Sequence, residues 1–398
     1  MRTRIGLLAG VLFTGLALAC FSLLYTSQAR TEKPAHEQIP STITGTTTKP
    51  AATTAHSAWR VGAPVTFEKL TIFPVITDEP AATDDFITLD EGLRAGTVTV
   101  TEISSSPRTV RPVAPPNPRN QRAQQNQIPN QVAQISDGAR VNTLALTNKS
   151  GRKLILIAGE MVIGGKQDRI VGHDCIVASS DTPVPLDVFC VEHGRWSGSS
   201  LSFGQSSRSE SVTVSGEASG YGVMASPKVR EKAQAKKQQT EVWDEVSKMV
   251  QENRVATATG DLKSVYEDRR VNSSLESYER AFKDNVTGAN VVGVVVAVGG
   301  KIISADVFAS PRLFRAYWPK MLRSYALEAI NATASKQTVG ARAAEAFLAR
   351  VEGEKAASGQ EGVYRLTEHQ SEKGASFELE SAAKAAPVLL HFNRVNKQ

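Results

Sequence analysis

The stretch GEMVIGGKQDRIVGHDCIVASSDTPVPLDVFCVEHGRW, residues Gly159 to Trp196, decides the fold class and indicates where a site should lie. Its apolar residues stand in short runs separated by glycine, serine, aspartate and proline, a pattern typical of β-strands joined by turns. The same stretch carries acidic, basic, amide, thiol, imidazole and indole groups. We therefore expect any binding or catalytic site to lie within this sheet-like region.

A glycine pair followed by lysine, Gly164-Gly165-Lys166, invites comparison with a phosphate-binding loop. Gly165 stands where that motif needs lysine, and Gln167 follows Lys166 where the motif needs serine or threonine. A strand, not a helix, is predicted to follow. The pattern of a strand, Gly-Gly and lysine recurs at residues 298–301 with no reactive groups nearby, so we interpret both glycine pairs as hairpin turns.

The two cysteines of the stretch, Cys175 and Cys190, can form a disulfide if their strands are neighbours. Side chains alternate along a strand, so His173 shares a face with Cys175 and Glu192 shares a face with Cys190. On neighbouring strands these four side chains would surround a metal ion, although a disulfide or ordinary buried thiols are the alternative. His193 lies on the opposite face from Cys190, which argues against a thiol nucleophile activated by that imidazole.

The remaining polar groups of the stretch have two interpretations. Arginine forks to phosphate or carboxylate and tryptophan offers a stacking face, so the set could bind a phosphate, carboxylate or sugar-like ligand. It could equally pin two hairpins together, because buried ion pairs are often structural. The candidate general bases are Glu160 and Glu192, and the candidate ligand-binding residues are Lys166, Gln167, Asp168, Arg169, Arg195 and Trp196.

The first 25 residues predict a signal peptide or a signal anchor. Arg2 and Arg4 precede an uncharged apolar run, residues 5–25, that is long enough to remain in a bilayer. The two arginines are expected to stay in the cytoplasm. The rest of the chain is then periplasmic or extracellular, either secreted or anchored to the inner membrane by the N-terminal segment.

Composition predicts a disordered linker rich in threonine, proline and alanine over residues 26–63 and a single α+β domain over 64–398, with flexible insertions at 104–136 and 197–226. Strand patterns favour an antiparallel sheet, partial barrel or sandwich, with a helical section packed on it. VVGVVVAV, residues 291–298, reads as a strand buried on both faces. A helix should start at Ser310-Pro311 and break at Pro319.

Charge and composition argue against a nucleic-acid partner. The net charge is +6, but the most charged region, residues 228–284, holds 12 Lys and Arg against 11 Asp and Glu. Positive residues are thus spread out instead of gathered on a binding face. With 41% hydrophobic residues the chain has ample material for a core, and no cofactor is implied.

Several segments together resemble the ARG and Rhodanese-Phosphatase-superfamily-associated Protein domain family. They are ITLDEGLRAGTVTVTEI (87–103), GEMVIGGKQDR (159–169), FCVEHGRW (189–196), GVVVAVGGKIISADVF (293–308) and FRAYWPKMLRSYALEAI (314–330). The resemblance runs from Val65 to the early 330s and implies a single α+β domain without an assigned activity; the family is named for its association with other families, including ADP-ribosyl-glycohydrolase-like ones. The motif positions it marks are Glu160, Gly164, Gly165, Lys166, Gln167, Asp168, Arg169, Cys190, Glu192, Arg195 and Trp196.

These observations leave two functions open. The preferred one is an extracytoplasmic ligand-binding or interaction domain, whose partner is a small anionic ligand or a protein, because no complete catalytic signature is present. The alternative is a hydrolase or transferase acting on a nucleotide-like or ADP-ribose-like ligand. In that case Glu160 or Glu192 would be the general base and Lys166, Arg169 and Arg195 would clamp the anion.

Overall fold

A computed structural model of the chain describes residues 58–103, 142–164, 166–193, 202–204, 222–283, 286, 288–382 and 387–397, with the backbone alone for 202–204. The predicted export segment, residues 26–57 of the predicted linker and the insertion at 104–136 lie outside the described residues. So do Gly165, Arg195 and Trp196. Among the described residues, no helix is both long and apolar enough to span a bilayer.

The strands in chain order are β1 (Trp59–Val61), β2 (Val65–Phe67), β3 (Leu70–Thr77), β4 (Phe86–Thr88), β5 (Val98–Glu102), β6 (Thr143–Asn148), β7 (Lys153–Leu156), β8 (Met161–Gly164), β9 (Arg169–Val171), β10 (Cys175–Val177), β11 (Ser180–Cys190), β12 (Ser202–Gly204), β13 (Val291–Val298), β14 (Lys301–Phe308), β15 (Glu354–Gln360), β16 (Tyr364–Gln370), β17 (Gly374–Ser381) and β18 (Val388–Asn396). The α-helices are α1 (Leu89–Arg94), α2 (Pro227–Glu231), α3 (Gln239–Glu252), α4 (Leu262–Glu267), α5 (Arg269–Phe282), α6 (Pro311–Asn331) and α7 (Ala341–Phe347); a π-helical turn, Lys232–Lys236, follows α2.

The larger sheet is antiparallel and is built around β13. Its order is β1-β3-β13-β14-β18-β17-β16-β15, with β2 also paired to β3. Every residue of β13 is buried, as its uninterrupted apolar sequence predicts. The chain turns into β14 through Gly299 and Gly300, whose φ angles of 57° and 77° favour glycine. Both the buried strand and the hairpin are confirmed.

The folded part starts earlier than predicted. Trp59–Val61 pairs with Thr77–Val75 at the edge of the larger sheet, so residues 59–61 are strand and not linker. The tryptophan ring packs against Phe392, with ring centroids 5.5 Å apart. The polar residues around this strand hide its strand character in the sequence.

The central stretch forms a barrel and a small sheet. Six strands close the barrel in the order β11-β6-β5-β12-β8-β9, and β10-β7-β4 make a three-stranded sheet. Two apolar runs, residues 153–163 and 168–178, each contribute one strand to the small sheet and one to the barrel. In the first run the chain bends at Gly159, whose φ is +87°. β8 pairs antiparallel with β9, with Val162 opposite Arg169, so the two strands form a hairpin; the turn predicted at Gly164-Gly165 includes Gly165, which lies outside the described residues.

Helices α5, α6 and α7 contact strands of the larger sheet, whereas α1 and α3 contact strands of the small sheet and the barrel, which confirms the predicted α+β class. Val242, Val246 and Met249 of α3 are buried, as their helical spacing predicts. Helix α6 starts at Ser310-Pro311 as predicted, but it continues through Pro319 to Asn331. The prediction of a break was wrong because the carbonyl deprived of its partner belongs to the exposed Arg315, where water can hydrogen-bond to it.

Part of the insertion predicted to be flexible, residues 197–226, is structured. It contributes β12 to the barrel, and its last residues run beside the central stretch. The backbone N–H of Met161 donates to Val223, and the N–H of Ala225 donates to Gly159. Met224 is fully buried. Serine and glycine content alone did not indicate these backbone pairings.

Candidate functional site

The first candidate general base, Glu160, lies in the protein interior with 1% of its surface exposed. Its Oε1 is 2.5 Å from Nζ of Lys320, and its Oε2 accepts from the N–H of Ile157 at 2.7 Å. Lys320, also 1% exposed, donates to Asp90 at 2.9 Å as well. Burial raises the pKa of Glu160 to about 7 against the opposing effect of the ammonium. Both oxygens of this carboxylate are thus engaged within the protein.

A second buried cluster is centred on Asp306 at the end of β14. Arg230 donates to both of its oxygens at 2.9 Å, and the hydroxyl of Tyr325 donates to Oδ2 at 2.5 Å. The amide of Asn393 adds a bond of 2.9 Å to Oδ1. Burial opposes ionisation of Asp306, but the Arg230 guanidinium and His391 hold its pKa well below the usual range. The result is a buried carboxylate bound to a buried arginine.

His391 connects this cluster to the central stretch. Its Nδ1 lies 2.5 Å from Oδ2 of Asp174, and its Nε2 lies 3.3 Å from Oδ1 of Asp306. Asp174 also accepts from the N–H of Ala158 at 2.8 Å. The ring of Phe308 stacks on His391 and on Tyr317, with centroids 4.5 and 5.0 Å apart. Tyr317 in turn lies under Lys320, so the two charged clusters are neighbours.

We expect His391 to make the fold sensitive to alkaline pH. Burial lowers its pKa, but Asp174 and Asp306 outweigh burial and raise the pKa from 6.5 to about 9. Since the folded pKa is the higher one, the stabilisation is complete below about pH 6.5 and is lost as pH rises through about 9. The interval between 6.5 and about 9 corresponds to roughly 3 kcal/mol.

Urea unfolding between pH 6 and 9.5 measures this effect. The wild-type unfolding free energy should fall over the interval, and His391→Gln should be less stable at pH 6 with a shallower pH dependence. His173→Gln, at a half-buried histidine of the same stretch, serves as the matched control and should keep the wild-type slope. Equal slopes for wild type and His391→Gln would contradict the assignment.

The second candidate base, Glu192, belongs to a clasp that we define as Gln167, Asp168 and Glu192. The three side chains are 0%, 3% and 4% exposed. The amide of Gln167 donates to the carbonyl of Glu192 at 2.7 Å, and Oε2 of Glu192 accepts from the N–H of Asp168 at 3.1 Å. Oδ1 of Asp168 accepts from the N–H of Gly164 at 3.0 Å. The clasp thus fixes the β8–β9 turn to the end of β11.

Of the other candidate ligand residues, two are buried or half-buried and two lie outside the described part of the chain. Arg169 is 2% exposed, so its guanidinium does not line an open site. Lys166 is half-buried, and its backbone N–H donates to Glu102 at 2.9 Å. Arg195 and Trp196 lie outside the described residues. Lys166 and Arg169, the described members of the predicted anion clamp, therefore fit the structural interpretation better than the ligand-binding one.

The structure favours ordinary buried thiols over the disulfide and the metal site, because the strands of the two cysteines are not neighbours. Cys175 lies on β10, which pairs with β7, whereas Cys190 lies on β11, which pairs with β6 and β9. Both are free, buried thiols, so the predicted disulfide is wrong. Burial raises the pKa of Cys190 to about 11 and that of Cys175 further. In the described part of the chain, no group of three or more His, Cys, Asp or Glu is arranged for a metal, including the proposed set with His173 and Glu192.

An open cleft lies where β11 ends. Its volume is about 560 Å³, and it is lined by His193, Thr240, Trp243, Asp244, Ser247, Ala258, Thr259 and Gly260. Four of these residues recur at three- and four-residue intervals on one face of α3. The imidazole of His193 meets the indole of Trp243 edge to face, with centroids 4.6 Å apart. Directly behind the cleft, Asp261 accepts from Thr257 and Thr259 and so holds the loop before α4.

A smaller cavity of about 90 Å³ lies beside α2 and the π-helical turn. Its charged side chains are paired: Lys228 with Glu328 at 3.0 Å and Lys232 with Glu231 at 3.1 Å. Its size suits water or a small ion. The larger cleft is therefore the better candidate for an organic ligand.

The family model for the ARG and Rhodanese-Phosphatase-superfamily-associated Protein domain matches residues 58–393. The chain belongs to this family. The match confirms the resemblance and extends it from the early 330s to residue 393. The added segment includes most of β18, which lies between β14 and β17 in the larger sheet. Neither the curated proteins nor the solved structures contain a match to the chain.

In this member of the ARG and Rhodanese-Phosphatase-superfamily-associated Protein domain family, sequence reasoning missed most of the buried charge clusters. The missed residues are Asp90, Asp174, Arg230, Asp306, Lys320, Tyr325 and His391. One signal was available: Asp306 and His391 each stand between two apolar residues of a strand, and charged groups are rarely buried unless they are paired. Their partners, however, lie far away in the sequence.

Proposed function

We propose that this chain is an extracytoplasmic, non-catalytic ligand-binding domain whose ligand occupies the cleft of His193 and Trp243. The observation that carries the proposal is the contrast between the cleft and the central stretch. Glu160 and Glu192, the two candidate bases, are 1% and 4% exposed. Their oxygens accept hydrogen bonds from Lys320 and from the N–H of Asp168, respectively. The cleft, in contrast, is open and has polar side chains at its surface.

Burial of both bases argues against catalysis at the motif. A general base must come within hydrogen-bond distance of the proton that it removes, about 2.6–3.2 Å. Glu160 already contacts Lys320, and neither of the two cavities described above includes Glu160 or Glu192. A substrate would reach these carboxylates only after the ion pair or the clasp had opened. Structural roles for these residues require no such opening.

One observation favours the alternative of a hydrolase or transferase. The pKa of Glu160, raised to about 7 by burial, lies in the range that suits a general acid or base. Structural ion-pair networks also shift pKa values, however, and Lys320 accounts for the position of this carboxylate. Nucleotide-like and ADP-ribose-like compounds therefore belong in any test of catalysis.

A nucleotide hydrolysis panel separates the two functions. We expect no turnover of nucleoside di- and triphosphates or ADP-ribose by the wild-type chain, by Glu192→Gln or by Glu160→Gln. The exposed pair partner Glu267, changed to Gln, is the matched control. Turnover by wild type and Glu267→Gln that disappears in Glu192→Gln would contradict the non-catalytic proposal.

The location rests on the uncharged run at residues 5–25, preceded by two arginines. Reporter fusions after residue 60 test it. An export-dependent reporter should be active and a cytoplasm-dependent reporter should be silent. The opposite pattern would remove the extracytoplasmic part of the proposal and leave ligand binding to be judged separately.

A further inference from the structure

We propose that the cleft binds a neutral, polyhydroxylated ligand of the carbohydrate class. This inference rests on the proposed binding function and names the ligand chemistry of the same site. It departs from the small anionic ligand expected from the arginines and lysine of the central stretch. Three properties of the cleft support it: charge, hydrogen-bonding groups and an aromatic wall.

The charge of the lining disfavours phosphate and carboxylate ligands. Among the described residues that line the cleft, none is lysine or arginine, and Asp244 contributes an exposed carboxylate. Phosphate sites in proteins combine cationic side chains with backbone N–H groups, because the anion must recover the hydration that it loses. A nucleotide diphosphate in this cleft would instead lie near a negative charge. A neutral ligand avoids that repulsion.

The hydrogen-bonding groups suit vicinal hydroxyls. Thr240, Asp244 and Ser247 lie on the exposed side of α3 and form no side-chain hydrogen bond to another described residue. A carboxylate accepts from two hydroxyl groups at once, and serine and threonine hydroxyls both donate and accept. A ring of alternating donors and acceptors, such as a sugar presents, can satisfy this set. The groups are therefore available without rearrangement of the core.

The indole of Trp243 supplies a donor that needs an acceptor. Its Nε1 is buried without a hydrogen-bond partner, a state that destabilises the side chain by about 1–3 kcal/mol. Because this N–H is closed to water, a ligand reaches it only after a neighbour moves. The exposed His193 ring, in contact at 4.6 Å, is the neighbour that can move most easily. A ligand hydroxyl can then accept from the indole, whereas a quaternary ammonium ion has no lone pair to offer.

The dimensions agree with an oligosaccharide-sized ligand. The cleft volume of about 560 Å³ falls within the ~300–1,000 Å³ typical of small-molecule sites. Its aromatic wall offers an apolar surface against which the C–H face of a sugar ring can pack. The polar groups and the aromatic pair line the same cleft, so such a ring can hydrogen-bond to the first while it packs against the second.

A ligand panel tests the inference with the full-length chain. Neutral glycans are screened on an array, hits are measured by calorimetry, and ADP-ribose, ATP and choline are measured in parallel. We expect a neutral glycan to bind. Asp244→Asn should weaken it about 10-fold or more, as expected for loss of a charged hydrogen-bond acceptor. Trp243→Ala should weaken it at least as much, whereas Asp181→Asn, at an exposed carboxylate elsewhere, should leave affinity unchanged.

The outcomes separate the two proposals. Binding of ADP-ribose or choline but of no neutral glycan, lost in Trp243→Ala, would overturn the carbohydrate inference and support the binding function. No compound of any class bound in the cleft would overturn both. Asp244→Asn changes an exposed side chain, so a loss of binding in this variant with an unchanged unfolding midpoint reports on the site and not on folding.

Discussion

Replacing Lys320 by methionine is expected to lower the free energy of unfolding by about 3–5 kcal/mol. The change keeps the length of the side chain and removes its charge. Glu160 and Asp90, which Lys320 holds at 2.5 and 2.9 Å, would then lose their shared counter-charge in a buried site. The contact of the ammonium with the Tyr317 ring, 4.6 Å from the centroid, would also be lost. Chemical denaturation at pH 7 measures the change.

The matched control is Lys263→Met on the surface of α4. Lys263 bonds to Glu267 at 3.0 Å with side chains 34% and 40% exposed, and such i,i+4 pairs contribute only about 0.3–0.5 kcal/mol. Adding Glu160→Gln to Lys320→Met should recover part of the loss, because it removes one of the stranded charges. A loss below about 1 kcal/mol in Lys320→Met would show that the ion pair is hydrated and not part of the core.

Asp306→Asn is expected to have an effect of similar size, about 3–5 kcal/mol. The substitution preserves shape but leaves the buried Arg230 without the carboxylate that neutralises it, and it leaves His391 with Asp174 as its remaining carboxylate partner. It also replaces an acceptor of the Tyr325 hydroxyl, at 2.5 Å, by a group that includes two donors. Urea unfolding with tryptophan fluorescence reports the loss.

Asp78→Asn provides a control with the same chemistry in a different environment. Asp78 bonds to Arg60 at 2.6 Å, but the two side chains are 66% and 62% exposed. Exposed pairs contribute about 0.2–1 kcal/mol, so this variant should remain close to wild type. Similar losses in the two variants would contradict the claim that burial gives the Asp306 cluster its importance.

The elements that could be predicted from sequence have local causes. The all-apolar run of β13, the Gly299-Gly300 turn and the Ser310-Pro311 start of α6 each follow from neighbouring residues and backbone preference. The family resemblance added the prediction that these segments belong to a single α+β domain. None of these signals depends on residues that are distant in the sequence.

The elements that could not be predicted depend on distant partners. Lys320 lies 160 residues from Glu160, and His391 lies 217 residues from Asp174, so no periodicity connects them. The division of residues 153–163 between two sheets depends on which strands lie beside each half. The continuation of α6 through Pro319 depends on which side of the helix faces water.

The candidate site was predicted in part. The central stretch was correctly recognised as a place of dense polar contacts, and the clasp of Gln167, Asp168 and Glu192 matches the structural interpretation of that pattern. The cleft could not be predicted, because α3 supplies most of its side chains and their amphipathic spacing indicated only a helix face. Among the described residues, His193 connects the two, because it follows the motif carboxylate Glu192 and is part of the cleft wall.

Carboxylate labelling with a carbodiimide and an amine, followed by mass spectrometry, tests the central claim that the motif is structural and the cleft is open. In the folded chain, Asp244 should be modified rapidly, whereas Glu160 and Glu192, 1% and 4% exposed, should react only after denaturant is added. Modification of Glu160 or Glu192 at the rate of Asp244 in the native protein would contradict the account, because it would place the motif carboxylates at an accessible site.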